Sequence, residues 1–506
     1  MARSILQLIE NLVSYAKREL GLMPLDAIYA RNRLFALLKT APSEQVFELA
    51  EVMPLQAMLD EITAYAVEAG LCAGDRVSPL RGADGAEGCV DAGSKLRFET
   101  EVMGLVTPCP SLVELKFKSK LKVLGIVDAC NYLYDMGVKS NYIRLCDVNK
   151  NVVRRANLPD GDIVITINLS KPEKDNKQVA LEAKAPKTKY PACLLCPENL
   201  GFSGTVTHPA RETLRMVPIT VGGEDWYMQY SPYVYYEQHC IALSARHNPM
   251  AVTPATFTKL LDFCKQFPHY FIGSNADLPI VGGSILSHDH YQGGAKVLPM
   301  LSRPARRTFV AKRHKSVAVS VLDWYNSVIR LSSKNREELE MCARAVLSAW
   351  RGYSDSSVGV LAQTDAPHNT ITPIAHADGD IWNLDLILRN NRTDEAHPYG
   401  IFHPTEDLHG IKKEGIGLIE AMGTFILPGR LKAELETVEG AIAGKAPTES
   451  VAKYHQAMLD EMKKTKEPIN SYIDRACVRI LECTAVFKKD EAGQTAFDRF
   501  INSVGL

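Results

Sequence analysis

What this chain lacks narrows its class before any motif is read. No apolar run approaches the roughly 18 residues of a membrane-spanning helix. The N-terminal stretch MARSILQLIENLVSYAKREL spaces its apolar residues helically between charges, unlike a signal-peptide core. Net charge is also missing: 58 Lys and Arg stand against 59 Asp and Glu, a formal charge of -1. That removes the strongest electrostatic case for nucleic acid or an anionic membrane as partner, and the expected setting is the cytoplasm. Cysteine is sparse, 12 in 506 residues. Cys130, Cys240 and Cys264 sit in apolar surroundings, where cysteine acts as a small hydrophobe. Only Cys193 and Cys196 are spaced as a pair, and in a cytosolic setting Cys-x-x-Cys points to metal or redox chemistry ahead of a structural disulfide.

What remains, 46% apolar and 23% charged residues, is an ordinary globular composition with room for about two to four domains. Ile5, Leu6, Ile9, Leu12, Val13 and Ala16 recur at helical spacing, and similar stripes follow at Leu34-Phe35 and Leu55-Met58. A glycine-rich, aperiodic loop is expected over Ser78–Lys95 and a helix over Lys120–Met136. DGDIVITINL alternates as a strand, and a short helical candidate lies in the charged, proline-punctuated segment after it. WYMQYSPYVYYEQHC has high β propensity, so Tyr230, Tyr233 and Tyr235 read first as sheet residues, although together they would suit a nucleobase slot. A helix is expected over 336–352, and VGVLAQ, TITPIAHA and IWNLDLILRN read as strands. The Arg- and Lys-rich stretch from Arg303 to Lys315 reads as a solvated face, and the tail from Lys432 to Lys464 as amphipathic helix interrupted near Gly444 and Pro447.

The densest chemistry lies in GSNADLPIVGGSILSHDHYQGG, Gly273 to Gly294. On an extended strand His288, His290 and Gln292 would share one face, with Asp289 and Tyr291 on the other. Gly282-Gly283-Ser284 supplies a turn whose N–H groups can line an anion. By itself His-x-His is equally a ligand pair, a catalytic pair or neither. His-x-His-x-Gln after a glycine turn resembles the histidine-triad superfamily, specifically its nucleotidyltransferase branch, in which glutamine replaces a third histidine.

The resemblance extends from about residue 190 to 432. CLLCPENLGFSG, THPAR, QYSPYVYY, FPHYFIGSNADLPIVGGSILSHDHYQGG, HNTITPIA, LDLILRNNRT, GIFHPTEDLHGIKKEGIGLIEAMG and LPGRLK, taken in order, resemble the galactose-1-phosphate uridylyltransferase family in its second, longer sequence class. The resemblance implies an α+β fold: a mainly helical N-terminal region (1–159), then two histidine-triad-like antiparallel-sheet halves with flanking helices. The first half (160–310) carries the nucleophile, and the second (311–506) ends in helices. It implies exchange of UMP between glucose 1-phosphate and galactose 1-phosphate through UDP-glucose, with no organic cofactor, and a homodimer is compatible with it.

Residue by residue, the resemblance makes His290 the nucleophile and Gln292 the amide that holds the phosphoryl group. His288 matches a zinc ligand of the shorter class, and Cys193, Cys196 and His247 would complete a Cys2His2 site. His239, His208 and His269 compete for the fourth place. Asn275, Tyr230, Gly282, Gly283 and Ser284 are substrate-binding candidates, as are Glu420, where the sugar-binding glutamate falls, and Lys413 as a phosphate contact. His368, His397, His403 and His409 fit no defensible metal motif. Attack needs a lone pair on one imidazole nitrogen, so the other is expected to carry a proton and donate it to an acceptor such as a backbone carbonyl. Two other readings stand: a nucleotide hydrolase or phosphorylase of the same superfamily, which Gln292 disfavours because it cannot act as a general acid, and a non-enzymatic zinc-stabilised binding protein.

Overall fold

Ser4 starts the first helix, Ile5–Tyr15, by accepting a hydrogen bond from Gln7 N at 3.2 Å. The stripe Leu8, Ile9, Leu12 and Val13 is buried, as the spacing predicts. The computed structural model describes residues 3–41, 52–71, 92–170, 189–205, 207–282 and 285–506. The loop expected over Ser78–Lys95 lies outside these residues up to position 91, and its end already belongs to the helix Ala92–Val106. The helical candidate after DGDIVITINL also falls outside them. The helix expected over Lys120–Met136 is two helices, Pro110–Leu124 and Ile126–Lys139, because Gly125 at φ +98 takes a conformation that ends the first and opens the second. The Tyr15 hydroxyl donates to Lys139 O at 2.9 Å, tying the first helix to the last of this group.

Two compact units divide the chain. One comprises Met1–Cys146, Lys174–Pro218 and Tyr227–Tyr233, and the other Asp147–Glu173, Ile219–Trp226 and Val234–Leu506. Among the described residues no helix is long and apolar enough to cross a membrane.

The strands are β1 (Val152–Ala156), β2 (Ile163–Asn168), β3 (Val217–Val221), β4 (Glu224–Tyr230), β5 (Cys240–Ser244), β6 (Tyr270–Gly273), β7 (His290–Ala295), β8 (Ala305–Val310), β9 (Ala318–Leu322), β10 (Val328–Ser333), β11 (Asn369–Asp378), β12 (Ile381–Asn390) and β13 (Thr424–Pro428). DGDIVITINL supplies β2, which pairs antiparallel with β1 and parallel with β13 in a three-stranded sheet. The other ten strands form one sheet in the order β3-β4-β5-β7-β6-β11-β12-β10-β9-β8, antiparallel at every pairing from β5 through β8.

That order holds the same pattern twice. β3, β4, β5, the helix Pro254–Gln266, β6 and β7 follow one another in the chain and lie in the sheet as β3-β4-β5-β7-β6. β8, β9, β10, the helix Arg336–Gly352, β11 and β12 repeat this as β8-β9-β10-β12-β11. In each set the fifth strand is inserted between the third and the fourth, and the two fourth strands, β6 and β11, join the sets.

Two expected strands are corrected. VGVLAQ forms only the isolated bridges Asp355↔Val360 and Gln363↔Pro367, with Gly359 at φ +74 and Pro367 breaking any ladder. In the aromatic segment β4 stops at Tyr230, and Tyr233 and Tyr235 lie in turns, because Pro232 has no N–H to donate and Val234 and Gln238 hold positive φ. Phe271, Ile374, Ile387 and Phe425 are fully buried in the core that joins the two sheets, each contributing about 1.5–3 kcal/mol of apolar burial.

Candidate active site and metal group

β7 runs between β5 and β6, with Leu243 opposite His290, Ile241 opposite Gln292 and Gly273 opposite Gln292 from the other side. The strand begins only at His290, so strand alternation relates His290 to Gln292 and leaves His288 on the approach. Gly293 is required by close packing, since a Cβ there would meet Phe271 O at 2.4 Å. On the other face Tyr291 stacks on Trp226, ring centroids 4.8 Å apart, and Lys259 lies 3.5 Å from Asp289.

His290 is 4% exposed, and its Nδ1 lies 2.8 Å from His288 O. A carbonyl can only accept, so Nδ1 carries the proton and the Nε2 lone pair is left for chemistry. Burial pulls the His290 pKa below the ordinary imidazole value, outweighing the upward pull of the His288 carbonyl, so the ring is neutral near pH 7. Gln292 Oε1 lies 3.2 Å from His239 Nε2.

His288 Nε2 in turn donates to Ser244 O at 2.9 Å, which turns Nδ1 toward a ligand role. The Cys193 and Cys196 Sγ atoms are 3.5 Å apart. Their turn is held by Cys196 N on Cys193 O at 3.3 Å and by Asn199 Nδ2 on Cys193 O and Cys196 O at 2.9 and 2.8 Å. Cys193, Cys196, His247 and His288 each offer one ligand atom, all within 4.8 Å of one another. A tetrahedral zinc asks for ligand separations of about 3.3–3.8 Å, so small shifts close the set onto one ion, and two thiols with two imidazoles suit zinc. The group can hold such a metal. Burial, followed by the neighbouring Cys193 thiol, pushes the Cys196 pKa up to about 11, so metal binding must displace its proton.

The competitors for the fourth place are engaged elsewhere or lie apart. His208 Nε2 is 2.6 Å from Asn199 Oδ1, His239 faces Gln292, and neither His269 ring nitrogen has a hydrogen-bond partner among the described residues. Among the described residues no further group of three or more such side chains is arranged for a metal. His403 and His409 both donate to Pro404 O, at 3.1 and 3.0 Å.

Of the substrate-binding candidates, Asn275, Gly282 and Glu420 converge. A Cβ at Gly417 would lie 3.2 Å from Glu420 Oε2, 3.4 Å from Asn275 Oδ1 and 3.4 Å from Gly282 O. Asn275 Oδ1 accepts from Leu418 N at 2.9 Å, and Leu418 packs on Gly273, the strand neighbour of Gln292. At Gly282, φ +114, the space a Cβ would need is filled by Ile416 O at 2.4 Å. Gly283 and Ser284 lie outside the described residues. Tyr230 is buried, its hydroxyl donating to Cys130 O at 3.1 Å. Lys413 is exposed over the Tyr399 ring. The lysine paired with Glu420 is its neighbour Lys412, buried, with Nζ at 2.9 Å from Oε1. Sequence reading missed Lys412 and weighed His239 only as a metal ligand; the i, i+2 spacing that marks His290 and Gln292 gives no sign of the contact between His239 and Gln292.

A neutral, backbone-anchored imidazole shares a strand with an amide, beside a thiol–imidazole group that could hold a metal, an arrangement suited to the class of histidine-dependent group-transfer chemistry. The comparisons make the class particular. The family model for the galactose-1-phosphate uridyl transferase N-terminal domain matches residues 24–249. Galactose-1-phosphate uridylyltransferase of Caldanaerobacter subterraneus subsp. tengcongensis is 43% identical over 529 residues, covering 98% of each chain. That of Fusobacterium nucleatum is 43% identical over 99% of each, and that of Bacillus subtilis 40% identical over 99% of this chain and 98% of its own. The chain belongs to the galactose-1-phosphate uridylyltransferase family. A slight likeness to the crystal structure of yeast Ap4A phosphorylase Apa2 has TM-score 0.30 at 10% identity, over 64% of this chain and 91% of that one.

Proposed function

We propose that the chain is a UDP-glucose:hexose-1-phosphate uridylyltransferase working through a uridylyl-histidine on His290. The observation that carries this reading is the 2.8 Å contact between His290 Nδ1 and His288 O, which fixes the tautomer a nucleophile needs. Nε2 attacks the α-phosphorus of UDP-glucose, the bond to the bridging oxygen breaks, and glucose 1-phosphate leaves with that electron pair. A phosphate oxygen of galactose 1-phosphate then attacks the same phosphorus, the P–N bond breaks and the imidazole is restored. No proton need leave His290, because Nδ1 keeps its own throughout. The Gln292 amide donates to a nonbridging oxygen as charge develops. Asn275, Gly282 and Glu420, gathered around Gly417, form the side of the site that meets the sugar phosphate.

The repeated strand order supports two histidine-triad-like halves, β3–β7 and β8–β12. Zinc held by Cys193, Cys196, His247 and His288 would play a structural part, fixing His288 and with it the carbonyl that anchors His290. Mixing the protein with UDP-glucose and galactose 1-phosphate should give UDP-galactose and glucose 1-phosphate. UMP release from UDP-glucose without exchange would favour a hydrolase, and neither product a binding protein; either result overturns the proposal.

A further inference from the structure

We infer that His239 is a positioning residue that sets which end of the Gln292 amide faces the reacting phosphoryl group; this rests on the role proposed for Gln292. The two ends of a glutamine amide have nearly the same shape and opposite polarity, so only a partner can choose between them. His239 Nε2 lies 3.2 Å from Gln292 Oε1. The ring is 3% exposed, and it is fixed from two sides: Tyr235 stacks on it at 5.6 Å, and Tyr236 is tilted against it at 4.6 Å. Tyr236 is itself tied to the strand of Gln292, its hydroxyl donating to Gly293 O at 3.0 Å.

The tautomer follows from counting donors. His239 Nδ1 is buried with no hydrogen-bond partner among the described residues. A proton there would be a buried, unsatisfied donor, costing about 1–3 kcal/mol. The proton therefore sits on Nε2 and is donated to Gln292 Oε1, while Nδ1 keeps only a lone pair. Burial also drives the His239 pKa down to about 4, so the ring stays neutral with a single donor. With Oε1 taken, the Gln292 NH2 is the end presented to substrate, a donor for phosphoryl oxygen and not an acceptor that would repel it.

His239→Phe keeps the ring and removes the donor, so the amide is free to turn its oxygen toward the phosphate. Exchange is expected to fall about tenfold in kcat with little change in KM for UDP-glucose. The decisive readout is a double-mutant cycle. In a Gln292→Ala background His239→Phe should cost less than about threefold, because the group it orients is gone. His239→Gln, which restores an N–H donor, should recover most of the rate. An equal loss from His239→Phe in both backgrounds, or no loss in either, overturns the inference. A Gln292→Ala enzyme as fast as the natural one overturns the role proposed for Gln292 itself, and the inference with it. If His239→Phe does not fold, the comparison of His239→Gln with His239→Ala carries the test: the glutamine variant must be the faster by several-fold, and equal rates overturn the inference.

Discussion

The two sets of five strands share an order in the sheet and differ in how they treat a buried histidine. In the first, the polar partner of His290 is a backbone carbonyl, and burial keeps the ring neutral. In the second, His376 on β11 lies between carboxylates, Nδ1 at 3.2 Å from Asp378 and Nε2 at 3.6 Å from Asp385. Asp385 on β12 is gripped by Arg330 on β10 through two bonds of 2.6 and 2.7 Å. Burial alone would lower the His376 pKa, but Asp378 and Asp385 outweigh it and raise the value. The carboxylates thus favour the doubly protonated ring, the state with no lone pair to offer phosphorus. The comparison teaches that charge around the ring, more than strand topology, decides whether a buried imidazole keeps the free lone pair a nucleophile needs.

The largest effect short of replacing His290, the proposed nucleophile, is expected at Gln292. An amide can hold a phosphoryl oxygen but cannot give or take a proton near neutral pH, so water gains no acid–base help beside the uridylyl group. Gln292→His should lower exchange by about a hundredfold while raising UMP release from UDP-glucose alone, scored as the ratio of the two rates. Equal loss of both rates would reduce Gln292 to a positioning group.

Removal of the thiol pair should act next. Cys193→Ser is expected to take zinc content from one equivalent to none by metal analysis and to lower exchange by about tenfold or more, because the chain around His288 loses its anchor. Metal-free natural protein with full activity and unchanged melting would sink this expectation.

The smallest effect belongs to the second set. His376 has a raised folded pKa, so its contribution to stability is full below the ~6.5 of an unfolded histidine and is lost as pH climbs through the folded value. His376→Gln should therefore flatten the decline in urea midpoint above about pH 6.5, a change of about 1 kcal/mol or less, while kcat per folded molecule holds. A loss of kcat would place His376 in the chemistry and break the contrast between the two sets.

Much of this fold was legible as periodicity. The stripe from Ile5 to Ala16 gives Ile5–Tyr15, REELEMCARAVLSAWRG gives Arg336–Gly352, and TITPIAHA with IWNLDLILRN gives the β11–β12 pair. Local pattern failed where tertiary contact decides. Nothing in DGDIVITINL announces that β2 pairs with β13, and the β-prone run SPYVYYEQH folds into turns that bring Tyr235, Tyr236 and His239 against the site strand. At the candidate site, the i, i+2 spacing singled out His290 and Gln292, and Cys-x-x-Cys half of a group that could hold a metal. The carbonyl of His288, the contact of His239 with Gln292 and the Lys412–Glu420 pair were hidden, because hydrogen-bond partners distant in sequence or drawn from the backbone leave no pattern to read.

The central claim, that His290 is neutral and nucleophilic because a carbonyl and not a carboxylate holds it, is tested most directly by covalent labelling. UDP-glucose carrying label in its α-phosphate is incubated with the protein, free nucleotide is removed, and the labelled residue is mapped. Label on His290, labile to acid, more stable to base, discharged by galactose 1-phosphate and absent from His290→Ala, is the predicted result. Label on any other residue, or none under conditions where exchange proceeds, would contradict it.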